Sequence, residues 1–200
     1  MSIGYFLTTM TMPHLNKNYL ETLYLGTIEG SEPVNHAQLS PFQRVMLVAD
    51  GTLTHAIEAW VDEAVSVCKL NETTLHTKEP VPLLQLDHRT ELLQREILLK
   101  GSDSNRTWLY ACSFIVLERI SAAFRDDLMI SKRPIGKLWR DHRTENYKEI
   151  VSCCCHPALE LAQHFNLSLQ QTLLSRTYRV FNGGKPVMMI TEKLPLNLFR

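Results

Sequence analysis

Leu92-Leu93-Gln94-Arg95-Glu96-Ile97-Leu98-Leu99-Lys100 reads as a β-strand with one charge on the wrong side. Alternation puts Leu93, Arg95, Ile97 and Leu99 on one face and Gln94, Glu96, Leu98 and Lys100 on the other. Arg95 therefore points where apolar side chains point. A guanidinium without a partner is costly to bury, so this face must bring a protein carboxylate to Arg95 or receive an anionic ligand there. The run closes on Gly101-Ser102-Asp103-Ser104-Asn105, a turn-forming segment. Thr107 to Leu117 then reads as the return strand, aromatic and β-branched, apolar on both parities and hence central and covered.

The end of the chain repeats the pattern. Leu173 to Phe181, the turn Asn182-Gly183-Gly184-Lys185 and Pro186 to Leu194 make a second hairpin. In its last strand Met188, Ile190, Glu192 and Leu194 share a face, so Glu192 is again the charged member of an apolar set. A structural ion pair between Arg95 and Glu192 is the plain explanation of both anomalies, and a shared ligand is the other. Strands joined by tight turns imply an antiparallel sheet with helices grouped against it. The fold class is α+β.

Outward from the hairpins, Ser40 is an N-cap and Pro41 a first helical residue, opening an amphipathic helix that should end near Asp50-Gly51. Thr52 or Thr54 then caps a second helix, Leu53 to Val61. Its first turn exposes backbone N–H groups of the kind that bind a carboxylate, although most such turns are capped by their own side chains. Ala64 to Lys69 reads as a strand and Asn71 to Leu86 as a connection, while Glu118 to Ile130 and Pro157 to Phe165 read as helices. Lys132-Arg133-Pro134-Ile135-Gly136 precedes a short helix to about His142 and sets backbone donors beside Lys132, Arg133 and Lys137. That is a second candidate anion cradle, with a solvated basic turn as the commoner outcome. Residues 1–38, with helical pieces around Tyr19 to Tyr24 and a polar linker from Glu29 to Ser40, read as an N-terminal extension to a domain over residues 39–200.

Composition bounds the function. Lys plus Arg and Asp plus Glu are each 21, so no net field favours nucleic acid or an anionic membrane, and any anion recognition must be local. The apolar runs fall short of a membrane span and no signal peptide is read, so the expected location is cytoplasmic. Five cysteines include Cys153-Cys154-Cys155 before His156, a spacing that supplies no tetrahedral metal set; these read as reduced structural thiols at the start of a helix.

Several pieces in order carry a family resemblance: Leu-Gln-Arg-Glu-Ile-Leu-Leu from Leu93, Tyr-Ala-Cys-Ser from Tyr110, Arg-Pro-Ile-Gly-Lys-Leu from Arg133, Arg-Thr-Tyr-Arg from Arg176, and Gly-Lys-Pro-Val-Met-Met-Ile-Thr-Glu-Lys-Leu-Pro from Gly184. With these spacings, Leu39 to Pro195 resembles a chorismate pyruvate-lyase. Gln43-Arg44 and Asp50-Gly51-Thr52-Leu53-Thr54 resemble the branch found in cyanobacteria and actinobacteria. The resemblance implies a six-stranded antiparallel sheet with helices packed around it, and cleavage of chorismate to 4-hydroxybenzoate and pyruvate without a cofactor. It places the ring-carboxylate arginine on Arg95, the glutamate near the ring hydroxyl on Glu192, and backbone carboxylate donors on Leu53 and Ile135. Arg176 or Arg179 would meet the enolpyruvyl carboxylate. Chorismate is the implied partner, with no nucleic acid and no membrane span, and the protein would act as a monomer or small homo-oligomer.

The rival reading is a non-catalytic domain of the same fold that binds an aromatic carboxylate, as in the ligand domains of some transcription regulators. Those carry an N-terminal DNA-binding helix-turn-helix, for which the first forty residues here are too few and too weakly basic.

Overall fold

The computed structural model describes residues 28, 30–87, 89–131 and 133–200. Lys132 and the segment Tyr19 to Tyr24 lie outside the described residues. The strands are β1 (Glu32–Pro33), β2 (Val65–His76), β3 (Glu91–Gly101), β4 (Thr107–Val116), β5 (Tyr147–Pro157), β6 (Thr172–Asn182) and β7 (Lys185–Pro195). The helices are α1 (Pro41–Val48), α2 (Leu53–Val61), α3 (Ala122–Ile130), α4 (Ile135–Asp141) and α5 (Ala162–Phe165). All strands join one antiparallel sheet in the order β1-β5-β6-β7-β4-β3-β2. The fold is α+β as expected. The sheet has seven strands rather than six, because Glu32 and Pro33, read as linker, pair with Cys155 and Cys154 along the outer edge of β5.

Both hairpins form where the turn chemistry puts them. Gly183 and Gly184 have φ of 56° and 76°, the positive values that a two-residue turn between right-twisted strands requires, so glycine fits both positions. The central strands β4 and β7 bring the two hairpins side by side, with Ser113 opposite Ile190 and Ala111 opposite Glu192.

Each face of the sheet is packed. On one, Leu93, Ile97, Leu99, Leu109, Ala111, Ile115, Leu174, Val180, Met188, Ile190 and Leu194 meet α1 to α4 through residues such as Met46, Ile57, Phe124 and Leu138. On the other, Leu92, Leu98, Tyr110, Phe114, Val116, Leu173 and Met189 meet Val81, Leu84, Leu161 and Ala162. At roughly 1.5–3 kcal/mol per large apolar side chain buried, these layers dominate the favourable side of folding. Helix α1 starts on the expected cap: Gln43 N–H donates to Ser40 Oγ at 3.1 Å and Ser40 N–H to Gln43 Oε1 at 2.9 Å. Gln43 also ties down the chain's end by donating to the Leu196 and Leu198 carbonyls, both at 2.7 Å.

Four expectations need correcting. Strand β2 does not stop at Lys69. It continues through a bulge to His76, and its second half reads as connection because an edge strand facing water carries polar residues. The cysteine run lies inside β5, not at a helix start, and the predicted helix Pro157 to Phe165 reduces to a 3-10 turn, Leu159–Leu161, followed by the four-residue α5. Helix α3 begins at Ala122 on an N-cap from Ser121, after a separate 3-10 turn.

Candidate active site

Two helix starts converge on the helix-covered face of the sheet. Leu53 opens α2 and Ile135 opens α4, and neither helix has a side-chain cap: Thr52 Oγ1 is engaged with His55 Nδ1 at 2.9 Å, and Pro134 has no hydroxyl to offer. Residues of both uncapped turns line one cavity. The approach is close enough to need a glycine. A Cβ on Gly136 would lie 2.4 Å from Thr52 Cγ2 and 2.7 Å from Thr52 Cβ. Thr52, Leu53, Thr54, Pro134, Ile135, Gly136 and Trp139 form the roof and sides of a cavity whose empty space, open mouth included, is about 450 Å³. Ile97, Leu99, Leu109, Ala111, Ser113, Tyr178, Ile190 and Glu192 form its floor.

Glu192 is where parity puts it, on the cavity floor, and its setting is polar. Arg176 Nε donates to Glu192 Oε2 at 2.7 Å, and the Tyr178 hydroxyl donates to Oε1 at 3.1 Å. Arg176 Nη1 further donates to the carbonyls of Met46 and Ala49 at 2.5 and 2.8 Å. Burial works against the Arg176 charge, but the Glu192 carboxylate outweighs it and holds the guanidinium's pKa above its ordinary value. Burial together with Glu192 pushes the Tyr178 phenol well up, so it stays a donor. The plain explanation of the two anomalies, a direct Arg95–Glu192 pair, is therefore not what forms: Glu192 is paired with Arg176.

Arg95 is only 1% exposed, and its carboxylate partner comes from the strand half that was read as a loop. Its Nε lies 3.2 Å from Glu72 Oε2, and its Nη2 donates to the Arg133 carbonyl at 3.3 Å, at the turn leading into Ile135. The Glu72 contact is close but poorly aligned, and among the described residues Nε and Nη1 both lack a hydrogen-bond partner. Burial lowers the Arg95 pKa, and Glu72 opposes that only in part. Arg95 does not itself line the cavity. Its neighbours on the same face, Ile97 along β3 and Ser113 across on β4, do.

Of the remaining expected residues, Arg176 shares the face of Glu192, whereas Arg179 lies on the opposite face, where it binds Glu149 Oε2 at 2.6 Å and the Leu83 carbonyl at 2.9 Å. One cavity residue escaped the sequence reading. Lys148, only 8% exposed, lines the cavity and donates to the Gly51 carbonyl at 2.6 Å. Of the three cations expected at the second cradle, Arg133 pairs with Asp141 and Lys137 with Glu58 at 2.7 Å. Among the described residues no cluster of three His, Cys, Asp or Glu is placed to hold a metal ion, and no helix is long and apolar enough to cross a membrane. Burial pushes the thiols of Cys153, Cys154 and Cys155 up, as suits unreactive residues.

One antiparallel sheet with helices over one face, and a cavity between that face and two helix starts, define an α+β domain with a candidate small-molecule site. The chain belongs to the family described as Rv2949c-like chorismate pyruvate-lyase, which matches residues 47–200. It is 30% identical over 162 residues to the chorismate pyruvate-lyase of Mycobacterium leprae (strain TN), covering 78% of this chain and 75% of that protein. It is 29% identical over 163 residues to the chorismate pyruvate-lyase of Mycobacterium tuberculosis (strain ATCC 25618 / H37Rv), covering 78% and 81%. Among solved structures, PhnF from Mycobacterium smegmatis superposes with a TM-score of 0.59 at 12% identity over 74% of this chain, which spans 65% of PhnF. The effector domain of PhnF gives 0.58 at 11% identity and is covered to 90%. These last two likenesses concern the fold alone.

Proposed function

We propose that the protein cleaves chorismate to 4-hydroxybenzoate and pyruvate in the cavity beneath Leu53 and Ile135. The observation that carries the reading is the under-bonded, buried Arg95 next to Ile97 and Ser113, which line a cavity whose floor holds Glu192, in a chain of the chorismate pyruvate-lyase family. The ring carboxylate would take the free Nη1 of Arg95 and the backbone N–H groups at Leu53 and Ile135, a charge-assisted arrangement. The opposite end of the ring, with its hydroxyl, would then meet Glu192.

The reaction breaks the ether C–O bond at the ring, expels the enolate of pyruvate and removes the hydrogen from the hydroxyl-bearing carbon; the enolate gains a proton to give pyruvate. Aromatisation drives it. The protein's task is to fix the ring and to stabilise charge as it moves to the departing oxygen, which is positioning plus preorganised electrostatics. Glu192, oriented by Arg176 Nε and the Tyr178 hydroxyl, is placed to exchange a hydrogen bond or proton with the hydroxyl end of the ring. No step requires a metal or an organic cofactor.

The second reading, a binding domain that does not turn its ligand over, is favoured by the likeness in fold to the PhnF effector domain. One assay separates them. Purified protein incubated with chorismate and a chelator should release 4-hydroxybenzoate and pyruvate in equal amounts. Binding of 4-hydroxybenzoate with no turnover would overturn the lyase reading in favour of the binding domain.

A further inference from the structure

Chorismate carries two carboxylates, and the residues assigned so far face the one on the ring. We propose that Lys148 receives the other, the enolpyruvyl carboxylate that 4-hydroxybenzoate lacks, and so distinguishes substrate from product. This rests on the chorismate-cleaving reading of the cavity. Neither arginine from the sequence reading is free for the task. Arg176 does not line the cavity, and its Nε and Nη1 are held by Glu192, Met46 O and Ala49 O with Nη2 alone unpartnered, while Arg179 faces the other side of the sheet.

Lys148 has the opposite character. Its ammonium is buried, and among the described residues the single hydrogen bond it makes is to the Gly51 carbonyl, which leaves two of its three N–H donors for an anion. The rings of Trp139 and Tyr178, centred 5.4 and 5.3 Å from Nζ, flank it with cation–π contacts. It also occupies the right place. Lys148 lines both the inner cavity and an outer groove that carries Asp50, Arg140 and Arg143, so it stands where the tail of a ligand emerges if the ring lies inside. Two arginines to one aspartate make that approach net cationic, as suits a dianion.

Burial, and secondarily Arg176, lower the Lys148 pKa to about 8, against the pull of Glu192 and Asp50. An incoming carboxylate would relieve that cost, since opposite charge favours the cation. The product, with its lone carboxylate on the ring, would gain nothing from Lys148 and would leave.

The test compares substrate with product on the full chain carrying Lys148→Met. Steady-state kinetics with chorismate should show kcat/KM reduced at least tenfold, mainly through KM, while the Kd of 4-hydroxybenzoate by calorimetry stays within about threefold of wild type. Lys148→Arg should recover part of the loss. A kcat/KM within threefold of wild type would overturn the assignment, and so would a parallel loss of 4-hydroxybenzoate affinity. If Lys148→Met does not fold, the unmodified protein decides. Its KM for chorismate should rise above about pH 8, as Lys148 loses its proton beside Glu192, Asp50 and Arg176, and the Ki of 4-hydroxybenzoate should not. Parallel pH dependences would overturn the idea. Absence of any 4-hydroxybenzoate from wild type is a different result, removing the lyase reading and this inference with it.

Discussion

Two arginines are buried on the same face of the same sheet, at 1% and 2% exposure, and their hydrogen bonding differs. Arg176 holds Glu192 at 2.7 Å and two main-chain carbonyls at 2.5 and 2.8 Å, leaving only its Nη2 without a partner among the described residues. Arg95 has one misaligned carboxylate at 3.2 Å, one carbonyl at 3.3 Å and an Nη1 with no partner. Burying a guanidinium costs several kcal/mol, so a folded protein leaves it half-satisfied only where something else supplies the rest. Arg176 is thus part of the frame, linking β6, β7 and the end of α1, and it orients Glu192. Arg95, with Nε and Nη1 unpartnered against Nη2 alone in Arg176, is the arginine with more capacity left for a ligand. The partners differ in the same way, since Glu192 sits in the core whereas Glu72 is on the edge strand and shares its charge with Lys69 at 2.9 Å.

The comparison can be broken most directly at Arg176. Arg176→Met strands a buried carboxylate and two carbonyls together, and should lower the free energy of unfolding by about 3–5 kcal/mol. Urea denaturation would show this as a shifted midpoint at unchanged slope. A loss under 1 kcal/mol would show that Arg176 is not part of the frame. A smaller effect is expected at Gly136, where an added Cβ meets Thr52 Cβ at 2.7 Å as well as the mobile end of that side chain. Gly136→Ala should cost about 1–3 kcal/mol as overpacking, and it should lower turnover more than its stability loss explains by moving the starts of α2 and α4 apart. Trimming the partner, in Gly136→Ala with Thr52→Gly, should recover part of both the stability and the turnover, because it removes the contact that pushes the two helix starts apart.

Much of this was legible in the sequence, for reasons that also mark the boundary of legibility. Parity assigned Arg95 and Glu192 to the apolar face correctly because β3 and β7 lie inside the sheet, where alternation reports packing. The starts of α2 and α4 were readable from Thr52, Pro134 and Gly136 because helix termini depend on local chemistry. What failed was long-range or irregular. Glu72 was hidden because Asn71 to His76 is polar in the manner of a loop, and an edge strand has the same composition. Lys148 was hidden because a register shift between Ile150 and Ser152 breaks the alternation of β5, and because the cysteine run beyond it suggested a helix start. The choice between Arg176 and Arg179 waited on the register of β6 against β7, which pairs Arg176 with Glu192 and Arg179 with Met189.

The smallest stability effect is expected where the functional claim is strongest. Arg95→Met removes a charge whose burial is poorly compensated and leaves Glu72 on the edge strand, part-exposed and still paired with Lys69. A methionine keeps most of the aliphatic volume. The two contributions oppose one another, and the mutant should unfold within about 1 kcal/mol of wild type, in contrast to Arg176→Met. Ligand should reverse that equivalence. At about 100 times its Kd, 4-hydroxybenzoate should stabilise wild type by roughly 2.7 kcal/mol, and the same concentration should barely move Arg95→Met, which should also turn over chorismate negligibly. A mutant that loses 3 kcal/mol or more without ligand would make Arg95 a frame residue like Arg176. One that folds normally and keeps its ligand-induced shift would remove Arg95 as the carboxylate anchor, and the distinction between the two arginines would then be one of packing alone.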